Sequence, residues 1–105
     1  LRLIGVTSLQ RAPIAPEVPT IAESGYPGFE AVGWFGLIGP KNLQPAILKR
    51  LNEETIAAVN SPDAKGRLEG VGFDVVTSKP DDFLAYIRSE ATKWKKLVKD
   101  IGLKL

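Results

Sequence analysis

Two spacings of apolar residues alternate along this chain, and the change between them separates candidate strands from candidate helices. From residue 45 onwards, apolar positions recur at steps of three and four, which is the spacing of one helix face. This pattern predicts three helices, over residues 45–60, 62–69 and 80–101. Each begins with a proline, which suits the first turn of a helix because its missing N–H is not needed there.

The first and last helices each carry an apolar stripe that predicts a buried face. The first stripe consists of Ile47, Leu48, Leu51, Thr55, Ala58 and Val59. The last consists of Phe83, Leu84, Ile87, Ala91, Trp94, Val98 and Ile101. Ser61 is the predicted N-cap of the second helix, and Gly70 and Gly102 are the predicted ends of the second and third.

Residues 28–40, which we call the central segment, alternate with the period of a strand. Both of its faces are apolar, so the segment predicts a strand covered by protein on both sides. Gly33, Gly36 and Gly39 are costly in a plain strand because they add backbone entropy and nothing to pack. They indicate either a bent, buried strand with bulges or a strand whose backbone flexes or lies against a ligand.

Two shorter β-rich stretches, residues 1–6 and 71–76, predict further strands. Thr7 and Ser8 follow the first of them at its carboxyl end. Ligands of open α/β sheets bind beyond this end of the strands, so two hydroxyls there predict an anion contact. The alternative is that both hydroxyls cap a turn.

Turn and capping signals fill the stretch between the first strand and the central segment. Prolines at positions 13, 16 and 19 have a spacing of three, which predicts an extended, polyproline-like path over the surface. Thr20 and Glu23 have the spacing of a capping box for a short helix. Gly25 is the predicted left-handed residue at the end of that helix.

The composition excludes several classes of site. The 105 residues include no Cys and no His, which excludes the usual zinc sites and Ser-His or Cys-His catalysis within this chain. No glycine-rich phosphate loop is present, and no cofactor is expected. The net charge of +2 is too small to indicate a polyanionic partner. No apolar run is long enough to span a membrane.

The residues alone therefore predict an α/β fragment with three strands and three or four helices. The chain opens on Leu1 instead of Met and enters a predicted strand at once, so we interpret it as a piece of a longer protein. Its carboxylates are scattered, and none is paired at a spacing that forces two into one cleft. We expect no enzyme activity and a possible ligand contact.

Several short motifs follow one another in an order that resembles a known family. They are VTS-x-x-R after the first strand, VPT-x-x-E-S-G-x-P-G, WFGL-x-x-P in the central segment and W-x-x-x-V-K in the last helix. Together they resemble the C-terminal third of the substrate-binding proteins of tripartite tricarboxylate transporters, the TctC or Bug family of periplasmic receptors. Lys79 stands at the cap position before PDDF, which is a departure from the family's pattern.

The resemblance implies a fragment of a two-lobed periplasmic-binding-protein fold of type II, which closes like a flytrap around its ligand. Residues 1–29 would complete the second lobe. Residues 30–40 would be a strand that crosses between the lobes as a hinge. Residues 41–105 would return to pack on the first lobe.

The resemblance also implies roles for particular residues. Thr7 and Ser8 would bind the ligand, and Trp34 and Phe35 would form part of its wall. Hinge function would give the glycines of the central segment a purpose, because a few positions must absorb the backbone rotation of closure. These hinge residues are Gly33, Gly36 and Gly39.

The implied function is capture of a small carboxylate, such as an organic acid or amino acid, and its delivery to the membrane subunits of the transporter. The full-length bacterial protein would be periplasmic, and no metal or nucleic acid is expected. The alternatives are a substrate or regulatory domain of a cytoplasmic α/β enzyme, and a structural or interaction module. Because a fragment lacks part of its cover, we expect it to expose apolar surface and to self-associate.

Overall fold

A computed structural model describes residues 2–103, and the regular secondary structure of this part of the chain consists of three α-helices. They are α1 (Pro45–Val59), α2 (Pro62–Gly70) and α3 (Pro80–Asp100). Each lies within one residue of its predicted bounds, so the helical periodicity is confirmed. The chain divides into two units, Leu1–Lys41 and Asn42–Leu105, and each is described by itself.

The helix starts follow the predicted use of proline, which occupies the first turn of α1, α2 and α3. Ser61 is the N-cap of α2, as predicted, but its hydroxyl donates to the Ala58 carbonyl at 2.7 Å. That bond satisfies a carbonyl near the end of α1, and the amides of α2 gain nothing from it. Asp81 and Asp82 lie in the first turn of α3, where the helix dipole favours negative charge.

The ends of α2 and α3 use left-handed glycines. Gly102 has a φ of 69° and lets the Leu103 amide reach back to the Val98 carbonyl at 3.1 Å, as predicted for the stop of α3. α2 ends at Gly70, as predicted, but Gly70 itself is helical, and the left-handed residue comes two positions later. Gly72 has the left-handed φ of 88° and allows the Phe73 amide to bond the carbonyl of Leu68 at 3.0 Å.

Within the second unit, α1 contacts α2, and a side chain links α1 to the segment before α3. The Asn52 Nδ2 group donates to the Ser78 carbonyl at 3.0 Å. The predicted burial of the two apolar stripes is wrong for this chain: Leu51 is 53% exposed and Ile101 is 63% exposed. The periodicity identifies the apolar face of each helix, but the described residues do not pack against these faces closely enough to bury them.

The three predicted strands do not form among the described residues. Only an isolated parallel bridge joins Val6 to Thr20, while residues 71–76 and the central segment pair with nothing as strands. A strand needs a second strand to satisfy its N–H and C=O groups, and residues 2–103 offer none in the right place. Leu1, part of the first predicted strand, lies outside the described residues.

The proline-rich stretch is also different from its prediction, because it turns twice where an extended path was expected. The Ala15 amide donates to the Ala12 carbonyl at 2.9 Å, and the Val18 amide donates to the Ala15 carbonyl at 3.1 Å. Pro13 and Pro16 therefore each stand at the second position of a four-residue turn, which is the position that proline favours. Prolines three residues apart fit consecutive turns as well as a polyproline helix.

The central segment is largely exposed, so its predicted cover on both faces is wrong for this chain. Phe35, Leu37 and Ile38 are 82%, 78% and 82% exposed. The segment follows a turn in which the Phe29 amide donates to the Tyr26 carbonyl at 3.0 Å, with Gly28 at a φ of 77°. The expectation that apolar surface is exposed is confirmed.

Burial among the described residues is concentrated in a few side chains. Ala15, Val18 and Thr20 are buried in the first unit, and Glu90 is buried on α3. The first unit therefore packs around the two proline turns and the turn that follows Thr20. None of the helices in residues 2–103 combines the length with the apolar composition that crossing a bilayer demands.

Candidate ligand-binding site

Main-chain hydrogen bonds hold Thr7 between two other parts of the first unit. The Val6 amide donates to the Pro19 carbonyl at 3.0 Å, and the Ile21 amide donates to the Val6 carbonyl at 2.9 Å. The Thr7 carbonyl then accepts the Ala31 amide at 2.9 Å. Thr7 is thus fixed on both sides by backbone, while its side chain is exposed.

The close approach of these backbones depends on Gly5. A Cβ atom at this position would lie 3.2 Å from the Cδ1 atom of Ile21 and 3.6 Å from the carbonyl oxygen of Pro19. The first of these contacts is tight, and a side chain larger than a methyl group would have to push the two segments apart. Gly5 therefore lets the segment before Thr7 lie directly against the turn at Thr20.

Thr20 and Glu23 form the predicted capping box. The Thr20 amide donates to Glu23 Oε2 at 2.8 Å, and the Glu23 amide donates to Thr20 Oγ1 at 3.0 Å. Thr20 is only 1% exposed, so these bonds satisfy polar atoms that water does not reach. The box closes a turn and not the short helix that was predicted. Gly25, with a φ of 110°, has the predicted left-handed conformation.

Arg11 joins this turn from the other side. Its Nε group donates to both carboxylate oxygens of Glu23, at 3.2 and 3.0 Å, and its Nη1 group donates to the Pro16 carbonyl at 3.2 Å. Sequence reasoning placed Arg11 in the VTS-x-x-R motif but gave it no role. The signal that could have found its role is an arginine three residues after Ser8, followed by a capping-box carboxylate, Glu23, that can also accept an ion pair.

The charge of Glu23 is stabilised by both partners. The hydrogen bond from the Thr20 amide, followed by the hydrogen bond and attraction of Arg11, lowers the pKa of the Glu23 carboxyl below its usual range. Glu23 is therefore ionised at neutral pH, and its carboxylate both accepts the Thr20 amide and anchors Arg11. The two side chains are about half exposed, at 46% and 47% for Arg11 and Glu23.

The two predicted hydroxyls have different surroundings. The Ser8 hydroxyl donates to the Gln10 carbonyl at 2.6 Å, which agrees with the alternative that it caps a turn. The Thr7 side chain is exposed beside its fixed backbone. Of the pair, Thr7 has the geometry of a presented hydroxyl, and its contact with a ligand stays a prediction.

The predicted wall and hinge residues lie along the central segment, which is joined to Thr7 by the hydrogen bond from the Ala31 amide to the Thr7 carbonyl. Trp34 is 39% exposed, whereas its neighbour Phe35 is almost fully exposed. The hinge glycines at positions 33, 36 and 39 are exposed, and a Cβ at Gly33 would meet no atom within 4 Å. Packing against other described residues therefore does not explain the glycine at position 33.

A second polar cluster lies on α3, around the buried Glu90. The Trp94 Nε1 group donates to Glu90 Oε2 at 2.9 Å, and Lys93 forms an ion pair with the same carboxylate. The Lys93 ammonium lies 5.2 Å from the centroid of the Trp94 ring. The hydrogen bond from Lys93 and then that from Trp94 lower the pKa of Glu90 below its usual range. These contacts allow a charged residue to be covered beside the apolar stripe.

Other features of the described residues do not form a site. No group of three His, Cys, Asp or Glu side chains that could hold a metal ion is present in residues 2–103. An open depression of about 540 Å³ is lined by Arg2, Leu3, Ile4, Glu17, Val18 and Pro19. It combines one positive with one negative side chain and includes neither predicted hydroxyl, so it does not favour an anion.

The fold and the sequence together define the class of protein. Residues 1–103 match the TctC family, the tripartite tricarboxylate transporter family receptors, and the chain belongs to that family. Among its relatives is the "UPF0065 protein in tcbD-tcbE intergenic region" of Pseudomonas sp. (strain P51), 39% identical over 104 residues. The Bug protein BugT of Bordetella pertussis is 34% identical over 105 residues.

Solved structures show the same backbone. The chain superimposes on the periplasmic binding protein BugD and on Rpa4515 of R. palustris, which was solved with adipate, with a TM-score of 0.77 and 31% identity in each case. Both matches cover 93% of this chain and 33% of the solved chain. The backbone is therefore that of part of a periplasmic binding protein.

The chain spans about a third of the length of the curated relatives named above. It covers 31% of the Pseudomonas protein and 32% of BugT, although nearly all of its own residues are matched. This coverage gives a physical reason why the stripes are exposed and why the predicted strands do not form, because the parts of the relatives outside the match have no counterpart among residues 2–103.

Proposed function

We propose that this chain is the C-terminal third of a periplasmic solute receptor that captures a small carboxylate and delivers it to a tripartite tricarboxylate-type membrane transporter. The family is a receptor family, and one similar structure contains adipate. The proposal includes no catalysis. Nothing in the matches favours the alternative of a cytoplasmic enzyme domain.

The observation that carries the proposal is the setting of Thr7. Its backbone is fixed by hydrogen bonds to the Thr20 turn and to Ala31, and its side chain is exposed. A hydroxyl on a rigid backbone can donate to a carboxylate with little loss of conformational entropy. In the full-length receptor we assign Thr7 as a donor to the ligand carboxylate, with Ser8 as its neighbour and with Trp34 and Phe35 as wall residues.

The lobe assignment extends this proposal. Residues 1–29 would finish the second lobe, residues 30–40 would cross the hinge, and residues 41–105 would return to the first lobe. The exposure of the central segment supports a crossing role, as does the open space around Gly33. The main strands of the first lobe would lie outside this chain. In the isolated chain, the apolar surface that they would cover would be free to self-associate.

A thermal-shift screen of the full-length receptor tests the function. The panel contains acetate, succinate, adipate and citrate, so that carboxylates of one, two and three acid groups are compared. A true ligand stabilises by mass action, by about 2.7 kcal/mol at a concentration a hundredfold above its Kd. We expect at least one acid to raise the Tm in a saturable way, and a matched amine such as butylamine to leave it unchanged. A Tm that no acid shifts would contradict the proposal.

A further inference from the structure

The segment Thr7–Gln10 is held at both of its ends by the same turn. At one end, the main chain of Val6 bonds the carbonyl of Pro19 and the amide of Ile21. At the other end, the Arg11 side chain bonds both carboxylate oxygens of Glu23 and the carbonyl of Pro16. The four residues between these anchors therefore form a closed loop on a common support.

We propose that Arg11 is a positioning residue for the ligand: its guanidinium pins the far end of residues 7–10 and so fixes the conformation in which the Thr7 hydroxyl is presented. The inference rests on the proposed ligand contact of Thr7. Arg11 itself need not touch the ligand, because its Nε and Nη1 groups already donate to Glu23 and Pro16.

The geometry favours arginine at this position. One planar guanidinium spans a carboxylate and a main-chain carbonyl, three contacts between 3.0 and 3.2 Å. A lysine ammonium keeps the charge but lacks the fork, so it can pair with Glu23 without reaching Pro16 in the same pose. Loss of the anchor leaves residue 11 free, and the loop must then be ordered again whenever a ligand binds.

A purely structural role for Arg11 makes a different prediction. If Arg11 only supports the cap, its loss should loosen the Glu23 amide, which bonds Thr20 Oγ1, and go no further. If Arg11 positions the loop, its loss should also loosen the Ala31 amide, because that amide bonds the Thr7 carbonyl. Amide exchange at these two positions separates the two roles without any ligand.

The test compares amide hydrogen exchange in the ligand-free full-length receptor for wild type, Arg11→Ala and Arg11→Lys. The control is Arg67→Ala, which removes an exposed ion pair of similar length, Arg67 Nε to Asp63 Oδ1 at 3.1 Å on α2. We expect exchange at Ala31 to rise roughly threefold or more in Arg11→Ala, to rise less in Arg11→Lys, and to stay unchanged in the control.

Unchanged exchange of the Ala31 amide in Arg11→Ala would overturn the proposal, even if the Glu23 amide exchanges faster. An equal rise in amide exchange along α1 would overturn it too, since the whole protein would then be loosened. If the alanine variant folds poorly, the milder Arg11→Lys variant gives the same comparison.

A calorimetric titration with adipate adds a second readout. If wild type binds adipate, its Kd should rise roughly two- to tenfold in Arg11→Ala, and an unchanged Kd contradicts the role. A wild type that binds none of the four acids contradicts the proposed function instead, and the exchange result still decides the role of Arg11.

Discussion

At the scale of single residues, the best-ordered chemistry of this chain surrounds Thr20. Thr20 is 1% exposed, and its amide, hydroxyl and carbonyl are all hydrogen-bonded, to Glu23 and Ser24. A buried polar group is costly unless it is paired, so each of these bonds stabilises the turn. Glu23 supplies two of them, and its negative charge also recruits Arg11.

The lowered pKa of Glu23 predicts a pH dependence. A carboxyl whose pKa is lower in the folded state stabilises the fold at pH values above its ordinary pKa of about 4.3. That contribution is lost as the pH falls through the lowered folded value. We therefore expect Glu23→Gln to lower the Tm of the full-length receptor at pH 7, and the difference from wild type to shrink as the pH falls through the lowered folded pKa of Glu23.

The matched control for this prediction is Glu53→Gln. Glu53 forms an exposed ion pair with Lys49 at 3.7 Å on α1, and such pairs contribute little. Melting curves of the two variants between neutral and acid pH give the comparison. A Glu23→Gln variant with a wild-type Tm at neutral pH, or a difference that grows on acidification, would contradict the account.

At the scale of elements, the helices could be read from the sequence and the strands could not. A helix satisfies its own backbone, so proline positions and the 3–4 spacing were sufficient to locate α1, α2 and α3 within a residue. A strand depends on a distant partner, and residues 28–40 and 71–76 have no such partner among the described residues.

The candidate site shows the same division between local and distant information. The capping box of Thr20 and Glu23 was visible because it connects residues three apart. The ion pair between Arg11 and Glu23 joins residues twelve apart, and the bond between Thr7 and Ala31 spans a longer stretch still. No periodicity of apolar residues encodes either contact. Arg11 was therefore visible as part of the VTS-x-x-R motif, but its pairing with Glu23 was not predicted.

The end of α2 gives a paired prediction about glycine. Gly72 has a φ of 88°, which costs an alanine about 1 kcal/mol or more. Gly70 is helical, and an added Cβ there meets no atom within 4 Å, so alanine should be neutral or stabilising by up to about 1 kcal/mol.

Urea unfolding of Gly72→Ala and Gly70→Ala in the full-length receptor measures this difference. We expect the free energy of unfolding to fall for the first variant and to stay level or rise for the second. Equal effects of the two substitutions would show that the left-handed end of α2 is not at residue 72.

At the scale of the whole molecule, the exposed apolar surface is explained by how little of its relatives' length this chain covers. It covers 32% of BugT and 33% of the solved BugD chain. Side chains such as Leu37 and Ile38, at 78% and 82% exposed, are large apolar groups in contact with water. Exposed clusters of this kind mark surfaces that normally contact other protein.

The isolated 105-residue chain should therefore associate in solution. Sedimentation velocity at micromolar concentration should show species larger than the 11.4 kDa chain. The double substitution Leu37→Ser and Ile38→Ser should shift the distribution towards the monomer, whereas Lys49→Ser, an exposed polar change on α1, should not. A wild-type chain that sediments as a single well-behaved monomer would contradict this prediction.

The most direct test of the receptor function is a calorimetric titration of the full-length protein with the carboxylate that raises its Tm the most. Wild type should bind one acid per receptor, and Thr7→Val should weaken that binding by about tenfold or more, because a hydrogen bond to a charged group contributes about 1.5–3 kcal/mol. Absence of saturable binding by wild type, or an unchanged Kd in Thr7→Val, would contradict the account of this chain as the ligand-holding third of a carboxylate receptor.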